Sequence, residues 1–149
     1  MTDLFEQSSQ KLDAAITEIQ NAIATGMANK QRLFETMSQL YGEGSANGAW
    51  SQRDAFDLLE AALTRHMAGL LNKPLMLNQI TEISALIEAL PTHTVRSEDQ
   101  IRFQQFSTPL PMGLAAMAAT QITPGDLVLE PSAGTGLLAI LAEIAGGSL

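Results

Sequence analysis

The residues with the clearest potential for chemistry lie near the end of the chain, after the turn signal Pro124-Gly125. A short apolar run, Leu127-Val128-Leu129, ends at Glu130 and is followed by the glycine turn Gly134-Thr135-Gly136. Because glycine has no Cβ, a backbone built on it can adopt positive φ and approach a bound ligand closely. A carboxylate at the end of the run can accept hydrogen bonds from a ligand ammonium or hydroxyl group. This pattern predicts a nucleotide-type ligand at the turn.

Three classes of ligand are compared for such a glycine turn. A phosphate-binding P-loop is excluded, because no Gly-Lys-Ser/Thr follows and no lysine occurs after Lys73. A dinucleotide (NAD or FAD) fits the permissive pattern Gly134-x-Gly136-x-x-Ala139, but its expected acidic partner, about 20 residues further on, would lie beyond Leu149. The third class is S-adenosylmethionine, which the residues upstream favour.

A second segment of interest, Gln104-Gln105-Phe106-Ser107-Thr108-Pro109, precedes a helix-like apolar stretch from Met112 to Thr120. Together with Glu130-Pro131-Ser132-Ala133-Gly134-Thr135-Gly136, this order resembles the N-terminal part of the N6-adenine-type DNA methyltransferases. In that family a Phe/Tyr-x-Thr-Pro segment (motif X) precedes a helix, and an Asp/Glu-Pro-x-x-Gly-x-Gly segment (motif I) follows it. The resemblance covers residues 100–149, about a third of the chain.

A narrower resemblance begins earlier, at Thr92-His93-Thr94, and continues through Arg96 to Pro109. This region is similar to the methylase-like region of large bacterial and phage proteins of the strawberry notch type. In those proteins a methyltransferase-like domain precedes a helicase-like domain, and no helicase sequence is present in these 149 residues.

The resemblance implies a role for each matched residue. The motif X residues would border the methionine end of S-adenosylmethionine, and Glu130 would accept hydrogen bonds near its amino group. The backbone from Ser132 to Gly136 would wrap past the methionine and ribose portions. The implied cofactor-binding residues are Phe106, Ser107, Thr108, Pro109, Glu130, Pro131, Ser132, Ala133, Gly134 and Gly136. The plainer interpretation is a core aromatic at Phe106, a helix start at Thr108-Pro109 and an ordinary strand-to-helix turn.

Two departures from the family pattern limit what the chain can do. Glu130 stands where motif I usually has Asp, and its longer side chain should still be competent. The Asn/Asp-Pro-Pro-aromatic motif that holds the target amine in this family is absent from all 149 residues, so no residue is assigned a catalytic role. We therefore expect a catalytically incomplete N-terminal piece of a methyltransferase acting on adenine amino groups, in which DNA would be bound by missing C-terminal parts.

The composition predicts an acidic, folded protein. The chain has 8 Lys and Arg against 16 Asp and Glu, a formal net charge of −8, which repels phosphate. No cysteine is present, so disulfides and thiol catalysis are excluded. The acidic N-terminus does not resemble a signal peptide, and no apolar stretch of ~20 residues predicts a membrane helix. We expect a soluble cytoplasmic protein with no membrane partner.

Apolar spacing predicts that the elements before the turn are helices. The stripe Leu12, Ile16, Ile19 and Ile23 has helical periodicity and is followed by a second stripe from Leu33 to Leu40 that could pair with it as a hairpin. Further helices are predicted from Ser51 to Leu71 and from Met76 to Leu90, with Ser51 and Asp54 as a capping box. Trp50 is predicted to anchor the glycine-rich loop before it.

The predicted fold is therefore mainly α. A helical bundle over residues 1–100 precedes the first strand-turn-helix of a truncated Rossmann-like α/β methyltransferase domain over residues 101–149. The break is placed where the charge changes, because all eight Lys and Arg lie between Lys11 and Arg102. No metal site is predicted, since His66 has no His or carboxylate four residues on and His93 lies in a Pro-Thr-His-Thr loop.

The apolar C-terminal tail is expected to lack its natural neighbours. An isolated strand leaves its backbone groups unsatisfied, so residues 126–149 should be poorly packed, rearranged into helix, or paired with another copy. Self-association would bury the helix face formed by Leu137, Leu138, Ile140, Leu141 and Ile144. A non-enzymatic helical interaction module, in which the glycine turn is only structural, remains an alternative.

Overall fold

A computed structural model describes residues 2–70, 77–92 and 108–149, and this part of the chain is mainly helical, as predicted. Its elements are α1 (Thr2–Ala24), α2 (Lys30–Tyr41), a short 3-10 helix (Ser45–Asn47), α3 (Gln52–Leu70), α4 (Leu77–Ala89), α5 (Leu110–Thr120) and α6 (Leu137–Ile144). Within those residues there is no β-strand, only an isolated parallel bridge between Leu127 and Ser148. None of the described helices combines the length and apolar character needed to cross a membrane.

The chain divides into two compact units, Met1–His66 and Met67–Leu149. The division falls inside α3, earlier than the change in charge near Arg102. The predicted domain boundary at residue 100 lies outside the described residues and stays a prediction.

The first unit contains the predicted hairpin of α1 and α2, which contact each other. Ile19 and Ile23 of α1 and Leu33 and Met37 of α2 are almost fully buried, as their stripes predict. Leu12, at the start of the first stripe, is 46% exposed, so that stripe is confirmed only toward the end of α1. α1 ends in a Schellman turn, in which Met27 N–H donates to Ala22 C=O and Gly26 has a φ of +68°. The turn reverses the chain within a few residues, which sets the two stripes face to face.

The connection from α2 to α3 is held by Trp50. Its side chain is 4% exposed, its Nε1 donates to Glu43 C=O over 2.9 Å, and its ring meets Phe34 edge-on at 5.2 Å. α3 then begins with the predicted capping box: Asp54 N–H donates to Ser51 Oγ, and Ser51 N–H donates to Asp54 Oδ2 over 2.7 Å. Both predictions for this connection are confirmed.

The predicted helix from Met76 to Leu90 corresponds to α4, in which Ile83 is buried. It ends before Pro91, because proline lacks the N–H that a continuing helix needs. Met76 lies outside the described residues.

Helices α5 and α6 of the second unit pack against each other at a small residue. A Cβ added to Gly113 of α5 would lie 3.0 Å from Leu141 Cδ1 and 3.2 Å from Leu138 Cδ2. The helices therefore approach closely enough for only a glycine to fit without adjustment. Leu141 and Ala142 are buried as a result, so the expectation of a poorly packed tail is wrong for α6.

Candidate functional site

The candidate site is supported by the turn Thr123-Pro124-Gly125-Asp126. Asp126 N–H donates to Thr123 C=O over 3.1 Å, and Gly125 has a φ of +100°, as a type II turn with Pro followed by Gly requires. The Asp126 carboxylate accepts from both the backbone N–H and the hydroxyl of Thr123, at 2.8 and 2.9 Å. These two donors lower the pKa of Asp126 below its ordinary value, because they stabilise the charged form.

The segment after this turn pairs with the end of the chain. Val128 N–H donates to Ser148 C=O over 2.8 Å, and Ser148 N–H donates to Asp126 C=O over 2.9 Å. This is the bonding pattern of a parallel bridge. The sequence did not predict a partner for the apolar run within the chain, and pairing with another copy was one of the three expected outcomes for this tail.

A second Schellman turn at the end of α6 brings Ser148 beside the extended segment. Gly147 N–H donates to Ala142 C=O, and Gly146 has a φ of +104°. Gly147 lies against Val128, because a Cβ added there would be 3.0 Å from Val128 Cγ2. The Gly-Gly pair directly after an apolar helix was the sequence signal that could have predicted this return.

The glycine turn connects the bridged segment to α6. Gly134 and Gly136 have φ values of +54° and +84°, a region that other residues rarely adopt, and Gly136 N–H donates to Ala133 C=O over 2.7 Å. α6 begins at Leu137, so the N–H groups of its first turn, which have no partner within the helix, point toward this turn. The predicted conformational need for glycine is confirmed at both positions.

Glu130 lies where the extended segment meets the glycine turn. Its Oε1 accepts a hydrogen bond from Ser132 N–H over 2.9 Å, which fixes the carboxylate beside the loop. Glu130 is half-buried, whereas Pro131, Ser132, Ala133 and Gly134 are exposed. The loop thus offers accessible backbone together with one oriented carboxylate.

Thr108 and Pro109 lie at the start of α5, and both are exposed. Pro109 is the N-cap residue, and its C=O accepts from Met112 N–H and Gly113 N–H over 2.9 and 3.1 Å. No side chain caps this helix start. The other two predicted motif X residues, Phe106 and Ser107, lie outside the described residues.

The contact at Gly113 relates the two motif segments. Gly113 lies in the first turn of α5, and Leu138 and Leu141 lie in the first two turns of α6. This contact joins the first turn of α5, which follows Thr108 and Pro109, to α6, which follows Gly136.

The apolar run differs from its predicted environment. A run without polar alternation predicts a central strand buried on both faces, but Leu127 and Leu129 are 83% and 86% exposed. Both leucines are in solvent because the described residues supply one neighbour only, at Ser148. The reverse holds for α6, where none of the five apolar residues expected to drive self-association is fully exposed.

No protein-family model matches the chain, and no curated protein or solved structure matches it. In the parts of the chain that the structure describes, no cluster of three or more His, Asp or Glu side chains could hold a metal ion.

Proposed function

We propose that the C-terminal residues are the beginning of the S-adenosylmethionine-binding unit of an N6-adenine-type DNA methyltransferase. The Rossmann-like order of extended segment, glycine turn and helix belongs to this proposal. The observation that carries it is the close approach of Gly113, in the first turn of the helix after motif X, to Leu138 and Leu141 of the helix after motif I.

The local chemistry is compatible with the methionine portion of the cofactor. Glu130 carries a carboxylate that accepts from Ser132 N–H through one oxygen, which leaves acceptor capacity for a ligand ammonium group. The exposed backbone from Ser132 to Gly134 can approach a ribose because no Cβ projects from Gly134.

The parallel bridge is a further support. Extended segment, helix α6 and a return to the parallel neighbour at Ser148 follow the order of a βαβ crossover. In open sheets of this class, ligands bind outside the carboxyl ends of the strands, which is where Glu130 and the glycine turn lie.

The proposed parent activity is direct methyl transfer from the sulfonium of the cofactor to an adenine amine. Such chemistry depends on holding the two reactants in line, and the groups that would hold the amine are not among these 149 residues. We therefore propose cofactor binding without catalysis for this chain, with DNA bound by other parts of the parent protein in the cytoplasm.

Isothermal titration of the full chain with S-adenosylmethionine and, separately, with NAD tests the proposal. We expect binding of the first and not the second. Binding of NAD alone would favour a dinucleotide domain, which the Gly134-x-Gly136-x-x-Ala139 pattern also fits, and binding of neither would favour a helical interaction module.

A pair of variants tests the site itself. Glu130→Gln removes the charge that would attract the ammonium group, so we expect about tenfold weaker binding, the size of one lost charge-assisted hydrogen bond. Glu143→Gln is the matched control, because Glu143 is an exposed residue near the other end of α6. Equal weakening in both variants would show that net charge, and not this carboxylate, governs binding.

A further inference from the structure

One surface of the second unit exposes large apolar side chains. Leu127 and Leu129 are 83% and 86% exposed, whereas Val128 between them is half-buried and lies against Gly147. This alternation is that of extended backbone, in which side chains two residues apart share one face. The two leucines therefore form a small apolar surface on the side opposite Val128.

The same segment has an open backbone edge. Asp126 C=O and Val128 N–H pair with Ser148, and in a parallel ladder the groups of the alternate residues point to the opposite edge. Those groups are the N–H and C=O of Leu127 and Leu129, for which the described residues provide no backbone partner. An edge of this kind is a template for pairing with an added strand.

The charges at the two ends of the edge favour a basic partner segment over a second copy of this chain. Asp126 and Glu130 flank the apolar run, and no Lys or Arg occurs after Arg102. In a second copy, the antiparallel register that pairs all the open groups would set Asp126 opposite Glu130 at both ends. Parallel pairing would set like carboxylates side by side, and facing like charges destabilise strand pairs.

We propose that the edge formed by residues 126–130 receives an extended segment of a partner protein that is apolar in its centre and carries Lys or Arg at both ends. The partner's backbone would pair with Leu127 and Leu129, its apolar side chains would cover the two leucines, and its cations would meet Asp126 and Glu130. This is strand addition, with affinity from main-chain hydrogen bonds and specificity from the side chains. The proposal does not rest on cofactor binding, although both use the Glu130 carboxylate.

Fluorescence anisotropy of a labelled peptide, Ser-Lys-Val-Ile-Val-Lys-Ser, with the full chain tests this surface. Its Lys residues are four positions apart, so they fall opposite Asp126 and Glu130 when the two Val residues fall opposite Leu127 and Leu129. The matched peptide with Glu in place of both Lys residues has the same length and apolar centre. We expect the Lys-ended peptide to bind at least about tenfold more tightly, with the preference reduced by added salt. Equal binding of the two peptides, or no binding of either, would overturn the proposal.

Protein variants locate the binding edge. Leu129→Pro removes one open N–H while leaving the Val128 bond to Ser148 in place, so we expect the Lys-ended peptide to bind about tenfold more weakly. Leu149→Pro is the matched control, since Leu149 is another exposed leucine outside this edge. Sedimentation of the free chain supplies the remaining outcome: a dimer that Leu129→Pro dissociates would show that a second copy occupies the edge, contrary to the proposal.

Discussion

Gly147 is the residue at which the C-terminal return leaves least space. An added Cβ would lie 3.0 Å from both Ile122 Cγ2 and Val128 Cγ2, and 3.3 Å from Ala142 C=O. Ile122, the bridged segment and α6 therefore all pack against Gly147. Close packing of this kind is destabilised by a single added methyl group.

We expect Gly147→Ala to lower the free energy of unfolding of the second unit by about 1–3 kcal/mol, the usual cost of overpacking. Gly44→Ala is the control, because nothing lies within 4 Å of a Cβ at Gly44 and its φ of −78° suits alanine. Hydrogen exchange at the Ser148 amide measures the effect locally. Unchanged protection in Gly147→Ala would contradict the packing at this point.

Asp126 makes the stability of the turn Thr123–Asp126 dependent on pH. Donation from the Thr123 backbone and hydroxyl lowers the pKa of Asp126, so the folded state binds its proton less readily than the unfolded chain does. Stability from this carboxylate is therefore fully present above the ordinary value near 3.8 and is lost as the pH falls through the lower folded value.

We predict that the amide signal of Thr123 shifts below pH 3.8 as this hydrogen bond is lost, followed by nuclear magnetic resonance during acid titration. In Asp126→Asn the side chain does not titrate, so the same signal should stay constant through that range. A shift of equal size in the variant would assign the change to another group.

At the scale of the elements, the contact between α5 and α6 is the feature on which the proposed site depends. α5 has little polar character to orient it, and Gly113 lies close to Leu138 and Leu141 of α6. Any side chain there, alanine included, would require Leu138 and Leu141 to shift.

We expect Gly113→Leu to destabilise the second unit by about 1–3 kcal/mol and to abolish any binding of S-adenosylmethionine. The matched control is Gly69→Leu in α3, where nothing lies within 4 Å of an added Cβ. That substitution should stabilise its helix by about 0.5–1 kcal/mol, because glycine is a poor helix former. Chemical denaturation of both variants measures the two effects, and the same sign in both would contradict the close approach at Gly113.

At the scale of the whole molecule, the net charge of −8 governs encounters with polyanions. We predict no binding of duplex DNA by the full chain at physiological salt, since a basic surface is needed to release counterions from phosphate. Fluorescence anisotropy with a labelled duplex checks this. Binding that weakens steeply with added salt would contradict it and would indicate a local cluster of Lys and Arg.

The helices were predictable because their signals are local. The burial of Ile19 and Ile23, the Ser51 to Asp54 capping box and the position of Trp50 each depend on residues a few positions apart, and the structure confirms all three. Asn29 was not predicted as the N-cap of α2, where its side chain accepts a hydrogen bond from Arg32 N–H. Asn before a helical stripe is an ordinary signal for a helix start, so the sequence could have indicated it.

The surroundings of the candidate site were less predictable because they depend on contacts distant in sequence. An apolar run such as Leu127 to Leu129 indicates a preference for burial, but it does not indicate which segment covers it. The pairing with Ser148 also required knowing that α6 ends in a tight reversal at Gly146. The motif residues could be named from the sequence, but their mutual arrangement could not.

The position of the division between the two units has a practical consequence for dissecting the protein. Because it falls within α3, a gene fragment that stops at His66 would cut a continuous helix and remove its last four residues. A fragment intended to isolate the first unit should therefore extend through Leu70, where the helix itself stops.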